Sequence, residues 1–251
     1  AGTVSNPYLI STLGELRWIA QDANRWGLVY KQTANIDADP SINFNNRAGL
    51  IPIGNTSTAF TGKYNGQGFW IDDLHINRSS SSNVGLFGIV SSGEIINLKI
   101  YDATIYGGIR VGVLAGDVTG ASTISSVTIV EGSVTGSITI GGVIGRTSST
   151  GKHSYLAYSG TVSSLMNPSN QNTTDGNNAG GLIGKMQKNT VLRKSFFNGH
   201  ISGGTLVGGL VGRSGSTSMN FNTDNPPKIY NSYSLGTVLA TKQYGAAGGV
   251  I

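Results

Sequence analysis

The sequence predicts an all-β protein: a right-handed parallel β-solenoid (β-helix) with coils of about 28 residues, three strands each, and an N-terminal capping helix. Three observations carry that reading. The chain of 251 residues contains 38 glycines and only 12% charged residues, a composition that disfavours helices, where glycine costs about 1 kcal/mol against alanine. A short glycine-rich apolar word recurs along the chain. Between its copies, apolar and polar residues alternate as in half-buried strands.

Taken in chain order, residues 1–80 differ from the rest and read as a capping region with the first coil or coils. A helix is expected over about 12–26, with Leu13, Leu16, Ile19, Ala20 and Ala23 on one stripe, Ser11 or Thr12 as N-cap and Gly27 at its end. Strand-like segments follow at 29–36 and 51–53. Residues 60–76 read as a strand, an Asn65-Gly66 turn and a returning strand.

Residues 81–251 carry the repeats. The word appears as Val84-Gly85-Leu86-Phe87-Gly88, then ends at Gly116, Gly145, Gly184 and Gly212, with a sixth copy cut off at Ile251. The closing glycines are 28, 29, 39 and 28 residues apart, and polar insertions at 163–178 and 213–227 account for the longer coils. A second word recurs in phase at Gly132-Ser-Val134, Gly160-Thr-Val162, Gly199-His-Ile201 and Gly236-Thr-Val238. A third stretch alternates, as in Ile96-Asn-Leu98-Lys-Ile100, Leu192 to Phe196 and Ile229 to Tyr233. Such strands cannot bury an apolar face alone, whereas stacked repeats close a continuous core. Right-handedness follows from the preference of parallel crossovers. Leu114, Leu182 and Leu210 are expected in that core; Val207 and Val211 would then lie on the opposite pleat face as an exposed aliphatic stripe. The coil that stops at Ile251 is expected to leave an open edge for further coils of a longer polypeptide or for another copy of the chain.

Several functions are disfavoured. The net charge of +5 comes from singly scattered charges, with no basic stripe interleaved with aromatics, so nucleic acid is not expected as a partner. The absence of cysteine excludes disulfides, and no stretch of 18 apolar residues spans a membrane. The start AGTVSNPY, without Met, is what removal of a signal peptide leaves. His75, His153 and His200 lie in different coils without a metal or triad motif, and His200 is expected to face solvent. GGLIGK at 180–185 lacks the spacing of a phosphate-binding loop. No catalytic residues are assigned and no cofactor is expected. The close carboxylates Asp37, Asp39, Asp72 and Asp73 read first as turn formers and second as weak calcium candidates. Exposed aromatics are sought in loops: Phe221, with Asn220, Asn222 and Asp224 around it, is the chosen recognition cluster, for cell-surface glycan or protein. Trp70, Tyr155, Tyr158, Phe196, Phe197, Tyr230, Tyr233 and Tyr244 are assigned mainly to the core or to stacking between coils.

The ordered set of NPYLIST, NIDAD, PIG, FTGKYNGQGFWIDDLHI, GLFG and the five glycine-rich words resembles the GLUG-motif repeat proteins of bacterial surfaces. The resemblance implies a secreted or cell-surface polypeptide with an adhesin-like role, and the motif also occurs beside immunoglobulin-A peptidase domains. The expected function is therefore a non-catalytic module of an extracellular adhesin or filament. A glycan-binding module is the alternative, and a β-helix polysaccharide lyase or hydrolase a more distant one.

Overall fold

A computed structural model describes residues 1–165, 177–187, 189–215, 225–241 and 246–249. The N-terminal helix runs over Leu13–Ala20. Thr12 caps it, accepting from the Glu15 backbone N–H at 3.2 Å, while the Glu15 carboxylate reaches back to the Thr12 N–H at 3.0 Å. The Ser11 backbone N–H, which donates to the same carboxylate at 2.7 Å, does most to hold the Glu15 carboxyl below its ordinary pKa, with the Ser11 and Thr12 hydroxyls and the Thr12 N–H adding to it. The helix is shorter than expected because Asp22 starts a separate turn, a 3-10 helix over Ala23–Arg25, by accepting from the Asn24 N–H. Trp26 then folds back and donates its indole N–H to the Ile19 carbonyl, so Leu16, Ile19 and Ala20 are buried as foreseen while Gly27 is not the helix end.

Beyond the helix the described chain is all-β and β-helix-like. Nineteen strands form one hydrogen-bonded sheet and five, Phe87–Ser91, Ala115–Thr119, Ile144–Thr147, Ile183–Met186 and Val211–Ser214, form another. Every pairing between these strands is parallel, and each strand pairs with its equivalent one repeat away. The core consists of register columns of like residues. Ile71, Ile100, Ile129, Tyr158 and Phe197 are stacked partners, as are Ile76, Ile105, Val134, Val162 and Ile201. Burying such a column removes apolar surface from water at about 25 cal/mol per Å², the main stabilising term.

Two expectations about local geometry fail. Lys63–Asn65 and Trp70–Asp72 are not an antiparallel hairpin; both run parallel to Glu94–Tyr101, pairing Lys63 with Glu94 and Trp70 with Lys99. The Asn65-Gly66 turn is an outward detour in one strand direction, closed by Phe69 N–H to the Gly66 carbonyl at 2.9 Å. Ile51–Ile53 contributes only an isolated parallel bridge from Ile53 to Phe87.

The glycine-rich word is likewise not one straight strand. Leu206–Gly208 belongs to the large sheet and Val211–Ser214 to the small one, with a corner at Gly209-Leu210. Val207, Leu210 and Val211 are all fully buried, as are Leu114 and Leu182, so these residues form no exposed aliphatic stripe. The glycines permit the two sheets to touch backbone to backbone. A Cβ on Gly212 would lie 2.7 Å from the Ala179 carbonyl carbon, and one on Gly180 would lie 2.5 Å from the Gly212 nitrogen. Space, not a special dihedral, demands glycine there.

Candidate functional site

The outward side of the large sheet is shaped by residues in the left-handed backbone region. Asn97, Ser126, Tyr155, Lys194 and Asn231 all have φ between 48 and 55°, at equivalent positions of successive strands. Each places two consecutive side chains outward and shifts the alternation by one. In Glu94–Tyr101, Ile95, Leu98 and Ile100 point into the core while Ile96 does not. The same shift buries Leu192 and Phe197 but turns Phe196 out, and it exposes Tyr233. Of the two places expected for Phe196 and Tyr233, the core or a stack between coils, they take the second.

A row of exposed aromatics results. Trp70, Tyr155, Phe196, Tyr230 and Tyr233 are 38–52% exposed. Phe196 and Tyr233 stack at 5.7 Å with a 12° interplanar angle, and Trp70 meets Tyr101 edge-on at 5.9 Å. Arg193 lies over the Tyr230 ring at 4.8 Å. Lys194 donates its ammonium to the Tyr155 hydroxyl at 3.0 Å. Tyr158 and Phe197, by contrast, are core residues, stacked at 6.0 Å. Between the aromatic ends runs an open groove of about 530 Å³ lined by Gln67, Asn97, Lys99, Ser126, Thr128 and Tyr155, with Gly68 at its margin. At its side, Asn97 donates its amide N–H to the Asn65 amide oxygen on the neighbouring strand at 3.2 Å.

The charges that are scattered in sequence converge on this face. Lys31, Lys63, Lys99, Lys152, Arg193, Lys194 and Lys228 all lie on it and are exposed, against three acids: Glu94, which pairs with Lys63 at 3.8 Å, and Asp37 and Asp72 at the Trp70 end. Among the described residues elsewhere there are eight bases and seven acids, so most of the net positive charge of the described residues sits on this one side. The reading that no basic stripe interleaved with aromatics exists is thereby overturned: strands 28 or more residues apart in sequence become neighbours.

The recognition cluster chosen from sequence, Asn220, Phe221, Asn222 and Asp224, lies outside the described residues, as does Tyr244. The calcium candidates are described. Asp37 and Asp72 are register partners, and Asp39 donates its backbone N–H to the Asp37 carboxylate at 3.0 Å, a turn-forming contact. Partial burial raises the Asp73 pKa, and the charges of Asp72, Asp102, Asp39 and Asp37 add to it. These carboxylates form an acidic corner bordering the Trp70–Tyr101 cleft, with Asp72 and Asp102 in its wall. Among the described residues, no group of three or more His, Cys, Asp or Glu side chains converges as a metal site. His200 is exposed. His153 is fully buried, with Nε2 3.0 Å from the Thr147 hydroxyl, and burial lowers its pKa to about 4.

No family model matches the chain. It is 38% identical over 152 residues to halomucin of Haloquadratum walsbyi, a match covering 58% of this chain and 2% of that protein. It is 30% identical over 171 residues to an immunoglobulin A1 protease of Streptococcus pneumoniae, covering 66% of this chain and 8% of the relative. The chain thus corresponds to a small part of each relative's length. Among solved structures, it resembles a Bacteroides ovatus protein provisionally called an immunoglobulin A1 protease, with a TM-score of 0.58 at 13% identity, covering 99% of this chain and 84% of that one. That likeness establishes a shared β-helix-type fold.

Proposed function

We propose that this chain is a non-catalytic module of a secreted or cell-surface protein, a right-handed β-solenoid scaffold that supports adhesion. One observation carries this reading: the large sheet holds an open, exposed row of aromatic, basic and amide side chains in strict register over a continuous apolar core. Stacked parallel strands stand about 4.8 Å apart, so such a face displays recognition groups at fixed intervals on a stiff support. The matched relatives are named for a mucin and for a protease of an immunoglobulin, proteins whose settings are extracellular. The ordered GLUG-like words of the sequence agree with that setting. Residues 1–80 act as the cap in this reading, with the repeats from 81 onward as the displaying body. No helix among the described residues is long and apolar enough to cross a membrane.

The groove has an open polar lining, whereas glycoside hydrolysis needs two carboxyls facing each other across the substrate; the carboxylates here gather at one corner instead. Display of residues 1–251 on a non-adherent cell, followed by counting of cells retained on coated surfaces under flow, tests the reading. Retention above an empty-display control, with no release of sugar or peptide fragments, is the expected result. Fragment release or retention equal to the control overturns it.

A further inference from the structure

We propose that the outward face of the large sheet, centred on the groove between Gln67 and Tyr155, binds an extended acidic polysaccharide, its carboxylates on lysines and its sugar faces on the exposed aromatics. The inference rests on the module being an extracellular scaffold and adds the chemistry of what it holds. Three independent features point to this ligand. The first is charge: seven exposed bases share the face with three acids, Glu94 and, at its Trp70 end, Asp37 and Asp72, which leaves most of the positive charge of the described residues on this side. The second is the lining. Gln67, Asn97, Ser126 and Thr128 offer neutral donors and acceptors between the cations, as sugar hydroxyls require, and Tyr155 closes one end with half its surface exposed. The third is backbone strain. In the left-handed column, Asn97, Ser126 and Asn231 include residue types that tolerate that conformation, but Tyr155 and Lys194, at the groove's end, do not. They are held there with the Lys194 ammonium on the Tyr155 hydroxyl, which leaves further ammonium donors free to meet a carboxylate.

Spacing agrees with a polysaccharide running along the stack. The groove runs from the Gln67-Gly68 detour across three strands, three steps of about 4.8 Å each, close to the length of one hexose, so about three sugar units fit across it. A phosphodiester strand fits less well. Its bases need free aromatic platforms on successive rungs, whereas Phe196 and Tyr233 already stack on each other and Tyr230 is covered by Arg193; a polysaccharide needs only the rings beside the groove, Trp70 and Tyr155.

The test is titration of the purified 251-residue chain with hyaluronan, dextran, poly(dT) and phosphatidylglycerol vesicles. Saturable binding to hyaluronan that weakens with salt is expected, with none to uncharged dextran. Lys99→Glu and Lys194→Glu should each weaken hyaluronan binding about tenfold, Lys194→Arg should retain it, and Tyr155→Ala should weaken it about tenfold. Arg47→Glu makes the same change in net charge at an exposed position off the face, and should leave binding unchanged. Equal loss in Arg47→Glu, equal binding to dextran, or tighter binding to poly(dT) or to the vesicles would overturn the proposal. Circular dichroism of each variant separates lost binding from lost fold. Surface retention that persists without hyaluronan binding defeats this inference alone; cleavage of bound hyaluronan defeats only the non-catalytic reading.

Discussion

Asp117 and Arg146 are stacked partners on adjacent strands of the small sheet, and the buried Asp117 carboxylate accepts from the Arg146 guanidinium through two bonds, the Nε one at 2.9 Å. Arg110 approaches the same carboxylate at 3.8 Å. One strand earlier the position is Ile89. A buried carboxylate that loses its bidentate partner is left poorly compensated, so Arg146→Ala is expected to destabilise the protein by about 3 kcal/mol. Asp117→Ile, which repeats the neighbouring rung, should cost far less. Urea midpoints of the two variants make the comparison.

His153 occupies a core column between Ile124 and Leu192. Its folded pKa of about 4 lies below the ordinary value of 6.5, so between those values the unfolded chain binds a proton that the folded chain refuses. Stability contributed by the neutral ring is therefore full above pH 6.5 and is lost as pH falls toward 4. By pH 5 the expected loss is about 2 kcal/mol. Denaturation midpoints measured from pH 7 to pH 4.5 should show it, and His153→Leu should flatten the curve in that window.

Gly212 and Gly68 make opposite demands. Gly212 faces the Ala179 backbone with no room for a methyl group, whereas Gly68 has open space but a φ of +82°. Gly212→Ala is expected to cost about 3 kcal/mol by forcing the two sheets apart, and Gly68→Ala about 1 kcal/mol from backbone strain alone. Thermal melts rank the pair.

Gly136 pairs with Ser164, and Thr139 with Asn178. The two residues 137–138 therefore make the step that residues 165–177 make in the following repeat. Replacing 165–177 by Ser-Ile, the sequence of 137–138, is expected to leave circular dichroism unchanged and to shift stability by less than about 1 kcal/mol. Collapse of the β signal would show that this segment is needed for the stack.

The sequence by itself determined the class of fold: an apolar word that returns in phase can be buried only by stacking on its own copies, and the parallel columns through Ile76, Ile105, Val134, Val162 and Ile201 realise that. It also placed Leu182 and Leu210 in the core and Thr12 at a helix start. Tertiary structure alone decided which side chains meet outside. Left-handed residues at Asn97, Ser126, Tyr155 and Lys194 shift the alternation by one, and their residue types carry no common signal, so Phe196 and Tyr233 could not be assigned outward by period. The corner in the glycine-rich word was hidden for a related reason, since its glycines answer to a backbone on another strand. Lysines that stand one per repeat look dispersed along a chain. They become one charged face only when each repeat is laid a strand's width from the next, because stacking converts sequence period into distance.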